Sequence, residues 1–192
     1  MNYIDILHPE KSISKKVNQV VLIVAASWLL AVSAQFSVYL PFSPVPVTGQ
    51  TLAVLLIGAL LGKNQGAAAV GLYLIQGAAG LPVFAGGKSG FITLFGPTGG
   101  YLVGFIAAAY IVGILVELRY DKSLVYLGFS MFIGSLVIYI FGLFWLVQFT
   151  GESSALQMGL FPFLVGDLVK ILIGVVVLGG SKKISSMISS RG

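Results

Sequence analysis

Hydrophobic residues fall into long blocks divided by short polar breaks. The blocks cover residues 17–40, 51–61, 66–80, 99–116, 124–149 and 160–178. A bilayer core about 30 Å thick takes about 20 apolar residues per helix. The pattern therefore predicts six membrane-spanning helices. The second block is only half a span long, so five spans plus a half-helix is the alternative count. Three connections on one side are irregular. Residues 41–50 (PFSPVPVTGQ) are Pro-rich and cannot form a regular helix, because proline lacks the N–H and clashes with the preceding turn. Residues 81–98 form a Gly/Pro-rich connection, and 150–159 a polar loop. On the other side lie a polar lead (1–16), the break Lys63-Asn64-Gln65, a charged turn (117–123) and a basic tail (181–192). The expected fold is an all-α membrane protein, one integral domain over residues 1–192, with a six-helix bundle at 17–180.

Composition removes the alternatives. Apolar residues make up 57% of the 192 and charged residues 9%, against about 25% charged in soluble domains. Disorder needs low hydrophobicity and high charge. The net charge is +5, but the positives flank apolar blocks and form no basic, aromatic-interleaved patch, so nucleic acid is not an expected partner. With a cytoplasmic N-terminus, the inside holds Lys11, Lys15, Lys16, Lys63, Arg119, Lys122, Lys182, Lys183 and Arg191. Lys88 alone is outside, and Lys170 lies within a span. This bias predicts a multi-pass cell-membrane protein with both termini cytoplasmic. Val32-Ser33-Ala34 after Lys15-Lys16 resembles a signal-peptide cleavage site. The apolar stretch outruns a signal core, however, so it is read as a retained span. Cysteine is absent and His8 is the lone histidine, before the first span. That excludes thiolate chemistry and a His-based metal site or proton relay in the membrane.

Irregular backbone at membrane depth is tolerated only where protein buries it or it lines a cavity. Three irregular segments on one side thus predict a pocket open to the exterior. Asp167 and Lys170 lie inside the sixth span, roughly 10–15 Å below its outer end. Spacing i,i+3 puts them on one helix face. An ionisable residue in a span is by default a functional candidate. The alternative is a neutralising pair that fastens helices together. As a site, the pair offers an acceptor and a donor, which suits a neutral polar head group or a zwitterion. Gln35, Thr48, Gln50 and Gln76 are polar candidates at similar height, and Phe42, Tyr73, Phe84, Phe91, Tyr101 and Tyr139 are candidate apolar walls. Packing or an interfacial belt is the alternative for these rings. Ser27, Ala31 and Ala34 form a small-residue face on the first span. Such a face permits close helix contact, either within the bundle or onto another membrane subunit.

Enzymatic readings fail. Gly87-Lys88-Ser89-Gly90 reads as a serine-nucleophile motif, but no span holds a histidine to act as base. Gly86-Gly87-Lys88-Ser89 echoes the end of a phosphate loop. Pro82 stands at the required first glycine, and no strand precedes it. No carboxylate pair is placed for phosphoryl transfer or hydrolysis. The chain is expected to be no enzyme and to need no cofactor or metal. A concentrative transporter built on it needs a partner or an ion gradient.

The segments PFSPVPVTGQTLAVLLIGALLG, GLYLIQGAAGLPVFAGG, GPTGGYLVGF and GDLVK, in this order, resemble the biotin-binding membrane subunit (BioY family) of energy-coupling-factor vitamin transporters. The resemblance covers about residues 17–180. It implies a six-helix subunit that captures biotin from outside. It also implies docking on a transmembrane coupling subunit and two ABC-type ATPases, which alone use ATP, and toppling in the membrane to release substrate. The family's first helix carries an Ala-x-x-x-Ala docking face, and Ser27 and Ala31 match those positions here. In that setting Asp167 accepts a ureido N–H, and Lys170 donates to the ureido oxygen or the carboxylate. Gln50 and Thr48 complete the polar set or act as a lid. The competing readings are a stand-alone secondary transporter or channel, and a related subunit for another vitamin.

Overall fold

The computed structural model describes residues 12–118 and 123–189, with side chains within 16–118 and 123–180. His8, Lys11, Arg119, Lys122 and Arg191 lie outside the described residues, as do the side chains of Lys15, Lys182 and Lys183. Helix α1 (Ser12–Gln35) leads into a two-stranded ribbon of β1 (Ser37–Val38) and β2 (Val47–Thr48). Helix α2 (Gln50–Ala78) follows, then a 3₁₀ turn (Ala85–Gly87) and the short α3 (Phe91–Phe95). The chain ends with α4 (Gly99–Leu118), α5 (Leu124–Thr150), α6 (Glu152–Gly159) and α7 (Phe161–Ser189). Among the described residues, five helices are long and apolar enough to cross a membrane, by length and composition.

Helix α2 is two rods in one. Gly62 interrupts it at φ 77, ψ 179, a conformation essentially restricted to glycine. In an unbroken helix Gln50 and Tyr73 would stand about 35 Å apart. Instead Gln50 Nε2 donates to Tyr73 Oη at 2.7 Å. The limbs 50–61 and 63–78 therefore fold back antiparallel. At 1.5 Å per residue they measure about 18 and 24 Å, short of the 30 Å core. The polar break 63–65 belongs to the second limb, and the turn is Gly62 itself. Glu117, at the end of α4, accepts from the Lys63 backbone N–H at 2.9 Å and pairs with Lys63 Nζ at 3.5 Å. A carboxylate is well placed there, against the exposed N–H groups of a helix start. With the hairpin counted as two, the bundle has six helical rods, as the block pattern predicts.

Three boundaries differ from the sequence expectation. The first helix stops at Gln35, not residue 40, because Ser37 and Val38 turn to pair with Thr48 and Val47. That ribbon closes the Pro-rich excursion. Residues 152–159 are a helix, not a loop. Gly151 (φ 78) ends α5, and a new turn starts on Glu152, where an acidic side chain complements the helix N-terminus. The basic tail continues α7 as far as Ser189.

Packing is closest between α2 and α4. A Cβ at Gly113 would lie 2.3 Å from Lys63 N and 2.5 Å from its Cα. Backbone thus meets backbone where α4 crosses the hairpin turn, which is how small residues bring membrane helices together. Helix α7 is held differently. Among its described residues it buries a stripe at helical spacing, Phe163, Asp167, Ile171, Gly174 and Leu178, and turns Val165, Leu168, Val169, Leu172 and Val176 outward.

The small-residue face of α1 faces inward. Ser27, Ala31 and Ala34 are all buried, and Ser27 Oγ donates to Val24 O at 2.8 Å. Their size serves packing inside the chain, and they are not available to a partner in this conformation. The outer face of α1 carries Val17, Val21, Val24, Trp28 and Val32.

Candidate functional site

The ribbon and loop after α1, the start of α2, the loop after α2, the start of α4, the middle of α5 and the start of α7 come together. Between them lies a cavity holding about 690 Å³ of non-atom space, open solvent at its mouth included. Its walls are mostly apolar: Val45, Pro46, Phe84, Leu102, Phe105, Ile138 and Phe163, with Tyr101 and Tyr139. The polar residues are Thr48, Gln50, Thr51, Thr93, Thr98, Asp167 and Lys170, with Tyr39 and Lys88. Tyr39 and Lys88 are exposed, whereas Gln50 and Asp167 are buried. The exposed pair marks the mouth and the buried pair the floor.

Asp167 sits roughly 10 Å into α7 and organises the floor. Its Oδ1 accepts from Lys170 Nζ at 2.8 Å and from Thr51 Oγ1 at 3.2 Å. Its Oδ2 accepts from the Tyr139 hydroxyl. Lys170 Nζ also donates to Thr51 Oγ1 at 2.9 Å. One carboxylate thus ties α2, α5 and α7 together. A charge in a span needs such partners, and their convergence on a cavity makes the cluster a site as well as a joint. Lys170 has three N–H donors and spends two on the protein.

The rest of the polar set is anchored on the backbone. Thr48 Oγ1 accepts from Gln50 N at 3.2 Å, at the entrance to α2. Tyr101 Oη donates to Gly159 O at 2.9 Å, pinning α6 to α4. Phe84 is packed edge-on to Tyr73 at 5.5 Å between ring centroids. At the mouth, Tyr39 Oη donates to Ala85 O at 3.0 Å. Lys88 Nζ lies 5.4 Å from the Tyr39 ring centroid, within cation–π range.

Of the residues singled out in the sequence, Asp167, Lys170, Gln50, Thr48, Phe84, Tyr101 and Tyr139 line the cavity. Gln35, Gln76, Phe42, Tyr73 and Phe91 do not. Gln35 Nε2 is turned to Phe84 O at 3.3 Å and Ala31 O at 3.2 Å, holding the loop from behind. Phe42 and Phe91 are exposed, and Tyr73 is fully buried behind Gln50. Gln76 has a buried Oε1 without a hydrogen-bond partner among the described residues. Thr51, Tyr39 and Lys88 are additions. Thr51 reads in the sequence as the first residue of an apolar block. Its position beside Gln50 at a helix start was the available signal.

The model of the BioY family matches residues 8–186, nearly the whole chain. The chain belongs to the BioY family. It is 41% identical over 165 residues to a probable biotin transporter BioY of Pyrococcus horikoshii, covering 85% of this chain and 94% of that relative. It is 39% identical to the biotin transporter BioY of Thermotoga maritima, covering 81% of this chain and 90% of the relative. The fold matches the crystal structure of the S-component for biotin from an ECF-type ABC transporter. The TM-score is 0.82, over 91% of this chain and 95% of that one, at 23% identity. At that identity the likeness establishes the fold. The chain is thus a multi-pass membrane protein with a fold shared by an S-component, from a family whose relatives are named as transporters.

Proposed function

We propose that this chain captures biotin and serves as the substrate-binding subunit of an ATP-driven energy-coupling-factor transporter. The observation that carries the reading is the floor of the cavity. It presents a carboxylate and an ammonium side by side, backed by hydroxyls, beneath apolar walls. Biotin has matching parts: a ureido ring with two N–H donors and one carbonyl, an apolar thiophane ring and chain, and a carboxylate. In the proposed pose the ureido ring lies on the floor. Asp167 accepts from one N–H, and the free donor of Lys170 reaches the carbonyl. Phe84, Phe105, Ile138 and Phe163 enclose the apolar part. The carboxylate points to the mouth, where Lys88 is the exposed cation lining the cavity. Its partners are a transmembrane coupling subunit and two ABC-type ATPases, and its setting is the cell membrane. We place both termini in the cytoplasm and the cavity outside, as the lysine and arginine distribution supports.

The mouth assignment predicts a selective defect. Lys88→Ala is expected to weaken biotin binding by up to about fivefold, the effect of one exposed ion pair. Binding of the uncharged biotin amide should be unchanged. Equal losses for acid and amide would move the carboxylate elsewhere. Uptake has its own test. Vesicles carrying this chain alone should bind biotin without concentrating it, and accumulation should require the coupling module and ATP. Concentrative uptake by the chain alone would favour a stand-alone secondary transporter.

A further inference from the structure

Tyr73 lies outside the cavity, yet its hydroxyl decides what Gln50 shows to the inside. Tyr73 is fully buried and Gln50 nearly so. The Tyr73 O–H donates to the Val83 carbonyl oxygen at 3.2 Å, and Gln50 Nε2 donates to Tyr73 Oη at 2.7 Å. A phenol has one proton to give. The Val83 carbonyl can only accept, so the proton goes there, and Tyr73 must accept from its other neighbour. That requires the amide nitrogen of Gln50 to face Tyr73. The reversed amide would set two acceptors, Val83 O and Gln50 Oε1, on a single proton. Val83 has one further neighbour, Gln35 Nε2, at a long 3.5 Å. The relay therefore leaves Gln50 Oε1 as an acceptor on a residue that lines the cavity. The ring of Tyr73 is itself fixed by its edge contact with Phe84.

We propose that Tyr73 is a positioning residue for ligand specificity, locking the amide of Gln50 so that the cavity offers two acceptors to a ring bearing two N–H donors. The inference rests on the biotin reading and deepens it: Asp167 meets one ureido N–H and Gln50 Oε1 the other. A site with both acceptors fixed rejects a ring that carries an acceptor at either place. A buried acceptor facing another acceptor loses its hydrogen bond and gains no water.

The test uses the purified protein, biotin, and the two cyclic carbamate analogues in which ring oxygen replaces one or the other ureido N–H. Wild type should bind both analogues at least thirtyfold more weakly than biotin. Tyr73→Phe keeps the ring but frees the amide to turn. It should narrow the gap for one analogue, the one facing Gln50, at least fivefold, and leave the gap for the other unchanged. In a Gln50→Ala background, adding Tyr73→Phe should change neither ratio, because coupled residues are not additive. A purely structural role for Tyr73 weakens all three ligands alike in both backgrounds, and that result overturns the proposal. An unchanged ratio in Tyr73→Phe overturns it too. Should Tyr73→Phe not fold, wild type alone still decides: failure to discriminate either carbamate from biotin contradicts two fixed acceptors. Absence of biotin binding in wild type would instead overturn the functional reading itself.

Discussion

Replacing either Asp167 or Lys170 with Ala is expected to lower biotin affinity by at least about a hundredfold. Truncating one partner of a largely buried, hydrogen-bonded charge pair in a binding site costs about 2–5 kcal/mol of affinity, and a hundredfold is about 2.7 kcal/mol. Asp167→Ala strips the acceptor from Lys170, Thr51 and Tyr139 together, so it should also lower the thermal midpoint. Lys170→Ala leaves Asp167 with Thr51 and Tyr139 and should cost less stability. The double variant Asp167→Leu, Lys170→Leu separates the two roles. Removing both charges eliminates the unpaired one, so the midpoint should recover above that of Asp167→Ala. Biotin binding should not recover. Thermal unfolding and ligand titration on the four proteins check this. If binding returned along with stability, the pair would be a joint between helices and not a ligand site.

The second large effect lies at the opposite end of the bundle. Gly113→Leu is expected to abolish a stable, monodisperse protein. Even a Cβ there would sit 2.3 Å from Lys63 N and 2.6 Å from Gly62 C. These are backbone atoms at the hairpin turn, which cannot swing aside as a flexible side chain can. Overpacking in a core typically costs about 1–3 kcal/mol, and a leucine against backbone should exceed that. Gly71→Leu is the control, because a Cβ at Gly71 meets nothing within 4 Å. Size-exclusion profiles and thermal midpoints of the two variants decide the matter. A well-behaved Gly113→Leu protein would contradict the close crossing of α2 and α4.

What the sequence made legible follows from scarcity. Charges are so few in the spans that Asp167 and Lys170 stand out by their residue types alone. The helical i,i+3 spacing already puts them on one face. The half-length second block signalled an unusual element, yet the turn sits at Gly62 because a single glycine in a left-handed conformation leaves no hydrophobicity signal. The polar stretch 152–159 read as a loop because its polarity was visible and its helical restart after Gly151 was not. The stripe Ser27, Ala31 and Ala34 looks the same whether it meets a helix of this chain or of another, and only burial distinguishes them. Aromatic residues posed the same problem. Tyr101, Tyr139 and Phe84 turn inward while Phe42 and Phe91 turn out, with no difference in residue type to show it. Thr51 was hidden because one hydroxyl at the head of an apolar block carries no periodic pattern, although it bonds both members of the ion pair.

We propose that this cavity is built for biotin. The most direct test is calorimetric titration of the purified, detergent-solubilised protein with biotin and a panel of other water-soluble vitamins. Saturable one-site binding of biotin, with no heat from the others, is the predicted result. Silence with biotin, or tighter binding of another vitamin, would show that the cavity does not select biotin.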